Sequence, residues 1–298
     1  MESKKAANLI GTLAVGNVLG EGVQWHINSQ TLWWIDIDSA CLFSYSPVTT
    51  EIITHEFPEK IGSFCFIEND ERLLVALASG FAFFCLQSKK VQWLAQPELT
   101  IADNRFNDGR VDRQGRFWAG TMDTAEQQPI AALYQLDHNQ NSTKMLDNII
   151  VSNGLCWSPN GDVLYHADSP TRVIYKYDMD VTSGQLTNKT EFTKLPADQY
   201  PDGSTIDSQG ALWNAQWGGS QVVCYSPTSD VELVIELPVT QPTCVCIGGE
   251  NMDVLFVTSA KKGLSDKQLK EQPLAGNVFM YQLTNVKGIE ENQYILRD

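Results

Sequence analysis

The sequence predicts an all-β protein: a six-bladed β-propeller with four-stranded antiparallel blades, forming a single domain over residues 1–298. Two observations carry this expectation. One phrase, a polar turn followed by an apolar and aromatic strand, occurs six times at a nearly constant period. No convincing amphipathic helix of 12 or more residues interrupts the strand-like runs between the copies.

The six copies read HINSQTLWWID, ENDERLLVAL, DRQGRFWAGT, SPNGDVLYHAD, DSQGALWNAQ and GENMDVLFVTS. They align on Leu32, Leu73, Phe117, Leu164, Leu212 and Leu255, at separations of 41, 44, 47, 48 and 43 residues. That period is the length of one four-stranded blade, and the chain divided by six gives about 50 residues per blade. VIYKYDMD, ALYQLD, QVVCYS and NVFMYQL supply further strands, and turn phrases such as VTSGQ and HNQNS separate them. KKGLSDKQLKEQPLAG is the one departure, a short helix or a loop in the last blade. The N-terminal run ANLIGTLAVG is expected to complete that last blade as its outer strand, closing the ring and leaving no open edge. Lys4 and Lys5 ahead of it imitate a secretory leader, but Gly11, Thr12 and Gly16 break the apolar run. Neither a Trp-Asp nor a Gly-His dipeptide occurs, which speaks against the scaffold type of propeller.

Composition narrows the partners. Hydrophobic residues make up 43% and charged residues 19%, as in a soluble globular chain. Acidic residues outnumber basic ones 36 to 21, a net charge of −15, so a nucleic-acid backbone or an anionic membrane would be repelled and neither is an expected partner. No apolar run reaches the roughly 18 residues of a transmembrane helix. The seven cysteines (Cys41, Cys65, Cys85, Cys156, Cys224, Cys244 and Cys246) are odd in number, irregular in spacing and free of any CxxC pair. They read as buried thiols of a reducing, cytoplasmic setting rather than as a disulfide framework or a zinc site. A closed propeller needs no obligatory protein partner.

Upstream of each copy lies the phrase that forms the innermost strand: GEGVQWH, KIGSFCFI, FNDGRVD, VSNGLCWS, YPDGSTID and QPTCVCIG. Five of the six carry a Gly at matching register. The residues just before it are Glu21, Ile61, Asp108, Asn153 and Asp202, which lie 11, 12, 9, 11 and 10 residues ahead of the aligned position. Pro242 or Thr243 stands there in the last copy. Four blades therefore bring an oxygen-bearing side chain to one ring, and three of the four are carboxylates. Like charges crowded around a narrow channel need neutralising. A hard divalent cation does so, and an all-oxygen set favours calcium, magnesium or manganese over zinc. Asn-Gly and Pro-Asp-Gly are also ordinary turn formers, but turns do not predict a shared register, and Glu-Gly is a weak turn pair. A central metal-containing channel is the expectation.

LGEGVQW, NRFNDGRVDRQGRFWAGTMD, SNGLCWSPNGDVLYHADS and PDGSTIDSQGALWNAQW, in this order from about Leu19 to about Phe279, resemble the gluconolactonase family that includes regucalcin (senescence marker protein). The resemblance implies one divalent ion held by Glu21, Asn153 and Asp202, calcium first, with zinc, magnesium, manganese or iron as alternatives. It implies Asp202 as general base and Arg105 and Asn107 as substrate-binding residues, with Asp108 beside the site. The family also contacts sugar hydroxyls through a Glu shortly after the GTM phrase. Here counting along GTMDTAEQQ reaches Ala125, with Glu126 adjacent, and Glu126 is taken as the substrate contact. The implied activity is metal-dependent hydrolysis of a small-molecule sugar lactone, an aldonolactone, to its acid. The rivals are a related propeller phosphotriesterase and a non-enzymatic calcium-binding propeller. Serine-hydrolase chemistry is disfavoured, since no GxSxG occurs and His26, His55, His138 and His166 show no partner spacing.

Overall fold

In two copies of the repeat the opening turn carries an Asp whose side chain fixes the strands on either side of it. In DRQGRFW, Asp112 Oδ1 accepts from the backbone N–H groups of Gln114 and Arg116, both at 3.0 Å, while Oδ2 accepts from Trp118 Nε1 at 2.9 Å. In DSQGALW, Asp207 repeats this with Gln209, Ala211 and Trp213. The device Asp-x-x-Gly-x-x-Trp thus ties the turn and sends a fully buried indole between two sheets.

The computed structural model describes residues 4–297. Among them the chain forms six four-stranded antiparallel sheets. After β1 (Ala6–Leu13), blade 1 consists of β2 (Gly20–His26), β3 (Thr31–Asp36), β4 (Cys41–Tyr45) and β5 (Ile52–Glu56). Blade 2 is β6 (Ile61–Phe66), β7 (Leu73–Leu77), β8 (Gly80–Phe84) and β9 (Val91–Ala95). Blade 3 is β10 (Asn104–Val111), β11 (Phe117–Asp123), β12 (Ala131–Leu136) and β13 (Ser142–Ile149). Blade 4 is β14 (Ser152–Trp157), β15 (Val163–Asp168), β16 (Val173–Met179) and β17 (Leu186–Lys194). Blade 5 is β18 (Tyr200–Ile206), β19 (Leu212–Trp217), β20 (Gln221–Tyr225) and β21 (Val231–Glu236). Blade 6 joins β22 (Pro242–Gly248), β23 (Val254–Ser259) and β24 (Val278–Thr284) to β1.

The aligned residues of the repeat all fall at the start of a blade's second strand and are buried. The core is six layers rather than one, with a hydrophobic cluster at each of the six blade interfaces. The ring closes as the sequence predicts: β1 pairs antiparallel with β24, from Ala6 opposite Thr284 to Leu13 opposite Val278. Lys5, just ahead of it, ion-pairs with Asp207 and Glu232 of blade 5. The segment before β24 contains a helix, α1 (Asp266–Glu271), whose start is held by a Ser265–Gln268 capping box. No helix among the described residues is long and apolar enough to cross a membrane, and all seven cysteines are free thiols.

The first strands of neighbouring blades pack against one another around the ring, and every one of them is bulged near its start. Pairing with the second strand slips between Glu21 and Gln24, Ile61 and Ser63, Phe106 and Gly109, Asn153 and Cys156, Pro201 and Ser204, and Pro242 and Val245. A bulge leaves residues unpaired and re-aims their side chains. This corrects the turn reading of Pro201-Asp202-Gly203, which lies within β18 as a bulge. The same residue types serve because a bulge also needs backbone freedom: Gly154 sits at φ 66°. Gly203 is needed for close approach, since a Cβ there would come within 2.5 Å of Cys244 Sγ on the next inner strand.

The far end of the channel is covered by a segment that the sequence reading did not assign. Residues 287–297 bridge Gly288 to Asp207 and Tyr294 to Ile67, and Asn292 Nδ2 donates to the Val111 carbonyl. Arg110 of β10 meets this segment through Glu291, Nη1 to Oε1 at 2.8 Å.

Candidate active site

In an antiparallel pair, the start of the first strand and the end of the second emerge on the same side. The six bulges lie at those starts, so the same face gathers residues from two sequence positions per blade. A cavity of about 550 Å³ opens there. From the first strands come Glu21, Arg105, Asn107, Asn153 and Asp202. From the ends of the second strands, or just beyond them, come Ile37, Met122, Glu126, Ser169, Trp217 and Lys262. Blade 2, whose bulge carries Ile61 and Gly62, contributes no lining residue.

Glu21, Arg105, Asn107, Glu126, Asn153 and Asp202 therefore line one cavity. Glu126 reaches it from a left-handed backbone position, φ 58°, where the loop after β11 folds back. Asp123 sets that loop by accepting from the backbone N–H groups of Ala125, Gln127 and Gln128. Asp108 differs from the expectation of a four-residue ring. It does not line the cavity; its Oδ2 accepts from the Leu155 backbone N–H at 2.9 Å, so the carboxylate is turned toward the bulge of β14. The physical reason is the β10 bulge, which inserts both Asn107 and Asp108 and presents Asn107 to the cavity.

A directed relay of hydrogen bonds orients the polar side chains. Arg105 Nη1 donates to Asn107 Oδ1 at 2.9 Å, and Asn107 Nδ2 donates to Asn153 Oδ1 at 3.0 Å. Asn153 Nδ2 donates to Ser169 Oγ at 2.8 Å, and Ser169 Oγ donates to the Pro201 carbonyl at 2.7 Å. Because Arg105 only donates and a backbone carbonyl only accepts, the orientation of both amides is fixed. Asn153 therefore keeps its carbonyl oxygen, with one lone pair still available, on the side of Asn107. Ser169 was invisible to the inner-strand alignment because it follows β15; the rule that second-strand exits share this face would have found it.

Glu21 and Asp202 are both more than nine-tenths buried, and each acts on the other's protonation. Burial, then the Asp108 charge, pushes Glu21 up to about 8, against the Gly22 N–H that it accepts at 3.0 Å. Burial, then the Glu21 and Asp108 charges, holds Asp202 well above the usual carboxylate range. Two carboxyls in this position retain a proton between them at neutral pH unless a cation takes its place. Burial draws the Arg105 guanidinium down, while Asp38, Glu21 and Glu126 favour its charged form. His166, by contrast, is a buried structural residue: desolvation takes it down to about 3, and its Nε2 meets Ser152 Oγ at 2.9 Å.

The donor set fits a hard divalent cation. Two proximal carboxyls with elevated affinity for a proton, and an amide oxygen held in orientation, are all-oxygen ligands, and the nearby Arg105 is shared among Asp38, Glu21 and Glu126. Among the described residues there is no group of three His, Cys, Asp or Glu side chains disposed for a metal; this set has two carboxylates, and its third member is an amide.

Comparison with known proteins points the same way. The family model described as the SMP-30/gluconolactonase/LRE-like region matches residues 19–261. The chain is 35% identical over 277 residues to the 6-deoxy-6-sulfogluconolactonase of Pseudomonas putida, covering 92% of this chain and 94% of that one. It is also 35% identical over 270 residues to the L-arabinolactonase of Azospirillum brasilense, covering 89% of each. Its fold matches that of the calcium-binding protein regucalcin from Agrobacterium tumefaciens str. C58 with a TM-score of 0.91, at 27% identity, over 96% and 97% of the two chains.

Proposed function

Since the chain belongs to the SMP-30/gluconolactonase/LRE-like family, we propose that it is a metal-dependent lactonase that hydrolyses an aldonolactone to the aldonic acid. The observation that carries this reading is the Glu21–Asp202 pair, buried beside Asn153 in a cavity whose wall also holds Arg105 and Asn107. Two relatives that are lactonases by name, one for a sulfogluconolactone and one for L-arabinolactone, support the substrate class.

Glu21, Asn153 and Asp202 would hold the ion, with calcium first because all three are oxygen ligands and a solved neighbour is a calcium-binding protein. When bound, such an ion supplies Lewis-acid polarisation of the lactone carbonyl and charge for the oxyanion. Arg105 and Asn107 bind and orient the hydroxylated ring, their own geometry fixed by the relay through Asn153 and Ser169. Asp202 accepts the proton of the water that attacks the carbonyl carbon. The acyl–oxygen bond of the ring then breaks, and the departing ring oxygen takes the proton held on Asp202, which gives the hydroxy acid and restores the base. Glu126 contacts substrate hydroxyls from the loop after β11. The free thiols support a reducing, cytoplasmic setting.

The experiment is acid release from a panel of aldonolactones by protein stripped with chelator and then resupplied with calcium, magnesium, manganese or zinc. Turnover of at least one lactone should vanish on stripping and return with the ion. Turnover that is indifferent to chelation, or absent on every lactone, would contradict the proposal.

A further inference from the structure

At one edge of the cavity two lysines share a single carboxylate. Lys60 Nζ takes Asp38 Oδ1 at 2.5 Å, and Lys262 Nζ stands 3.3 Å from Asp38 Oδ2. Arg105 lies within charge range of the same Asp38, and of Glu21 and Glu126 as well. Two lysines thus share one carboxylate, and the shorter contact belongs to Lys60. Lys262 is the one of the two lysines that lines the cavity. Its side chain is 42% exposed, so its pairing with Asp38 is solvent-screened and easily exchanged. Its main chain is pinned on both sides: the N–H donates to the Val18 carbonyl at 3.0 Å, and the carbonyl accepts from Gln241 Nε2 at 3.1 Å. A flexible ammonium on a fixed anchor at a cavity rim is placed to meet an anion. On the same wall the buried Gln241 has, among the described residues, no partner for its Oε1, an acceptor open to a substrate hydroxyl.

The cavity is large enough to use this. About 550 Å³ falls in the range that houses drug-sized ligands, so a single lactone ring leaves space for a substituent. In the lactonase reading the lactone carbonyl takes the Glu21–Asn153–Asp202 end, so a group at the far end of the carbon chain is left to the rest of the wall, which includes Lys262. We propose that Lys262 is a specificity-determining residue and that the preferred substrate is an aldonolactone with an anionic group (sulfonate, phosphate or carboxylate) on the carbon chain away from the lactone carbonyl. This rests on the lactonase reading above.

The test compares kcat/KM for a neutral six-carbon aldonolactone with its 6-sulfonate, 6-phosphate and 6-carboxylate counterparts, in the wild type, Lys262→Met and Lys262→Arg. The wild type should favour at least one anionic lactone by roughly tenfold or more, as expected for a charge-assisted hydrogen bond. Most of that preference should lie in KM and weaken with added salt. In Lys262→Met the anionic-to-neutral ratio should fall toward one, and Lys262→Arg should restore most of it. The profile across sulfonate, phosphate and carboxylate identifies the group. Equal turnover of neutral and anionic lactones by the wild type, or an unchanged ratio in Lys262→Met, overturns the inference while leaving the lactonase reading intact. Absence of turnover on every lactone overturns both.

Discussion

Ser169 shows how much of this site depends on a residue that carries none of its charge. Its hydroxyl accepts from Asn153 and donates to the Pro201 carbonyl, which settles the direction in which the Asn153 amide presents its oxygen. Groups that orient metal ligands are commonly worth 10–100-fold in metal affinity. Ser169→Ala should therefore weaken calcium binding by about that factor, measured by calorimetric titration, while the thermal melt of the metal-free protein changes little. Unaltered affinity would show that the amide is oriented without the relay. At this scale the sequence was informative where one chemistry recurred at one register. Glu21, Asn153 and Asp202 stood out because oxygen-bearing residues preceded a Gly at a matching place. Ser169 and Lys262 did not, because they follow second strands and share no residue type with their equivalents in other blades. Asp108 was over-read for the converse reason: register alone does not say which of two inserted bulge residues, Asn107 or Asp108, turns toward the cavity.

The strands themselves were legible because the repeat combines a turn device with an apolar and aromatic strand. Asp112 illustrates the device: fully buried, it binds Arg116 Nε at 2.6 Å as well as the Trp118 indole and two backbone N–H groups. Asp112→Ala leaves the nearly buried Arg116 guanidinium without its carboxylate and should cost about 3–5 kcal/mol, seen in urea as a lower midpoint at unchanged slope. A loss below about 1 kcal/mol, the ordinary effect of a surface change, would mean that the turn is held by its backbone alone. Bulges were the element-scale feature that the sequence concealed. Asp, Asn and Gly satisfy both a tight turn and a strand bulge, and only pairing with β19 shows that Asp202 and Gly203 belong to the second case. The role of β1 was easier to foresee, since an apolar strand without a blade of its own and a last blade lacking its outer strand complete each other.

Six inter-blade layers and a strand that joins the first and last parts of the ring give the molecule a frame on which the inner strands converge. That convergence makes a channel in which Glu21 and Asp202, 181 positions apart in the sequence, line one cavity. The segment from 287 to 297 that covers the other end left little trace in the sequence, because it adds isolated bridges to several blades rather than a periodic strand to one. The central claim is that these bulged inner strands build one divalent-ion site. Calorimetric titration of calcium into chelator-stripped wild type and Asp202→Ala tests it most directly. The wild type should bind one ion per chain, with affinity falling at least about 100-fold in the variant, in line with losing a charged ligand. Binding of equal strength and stoichiometry in both proteins would contradict the account.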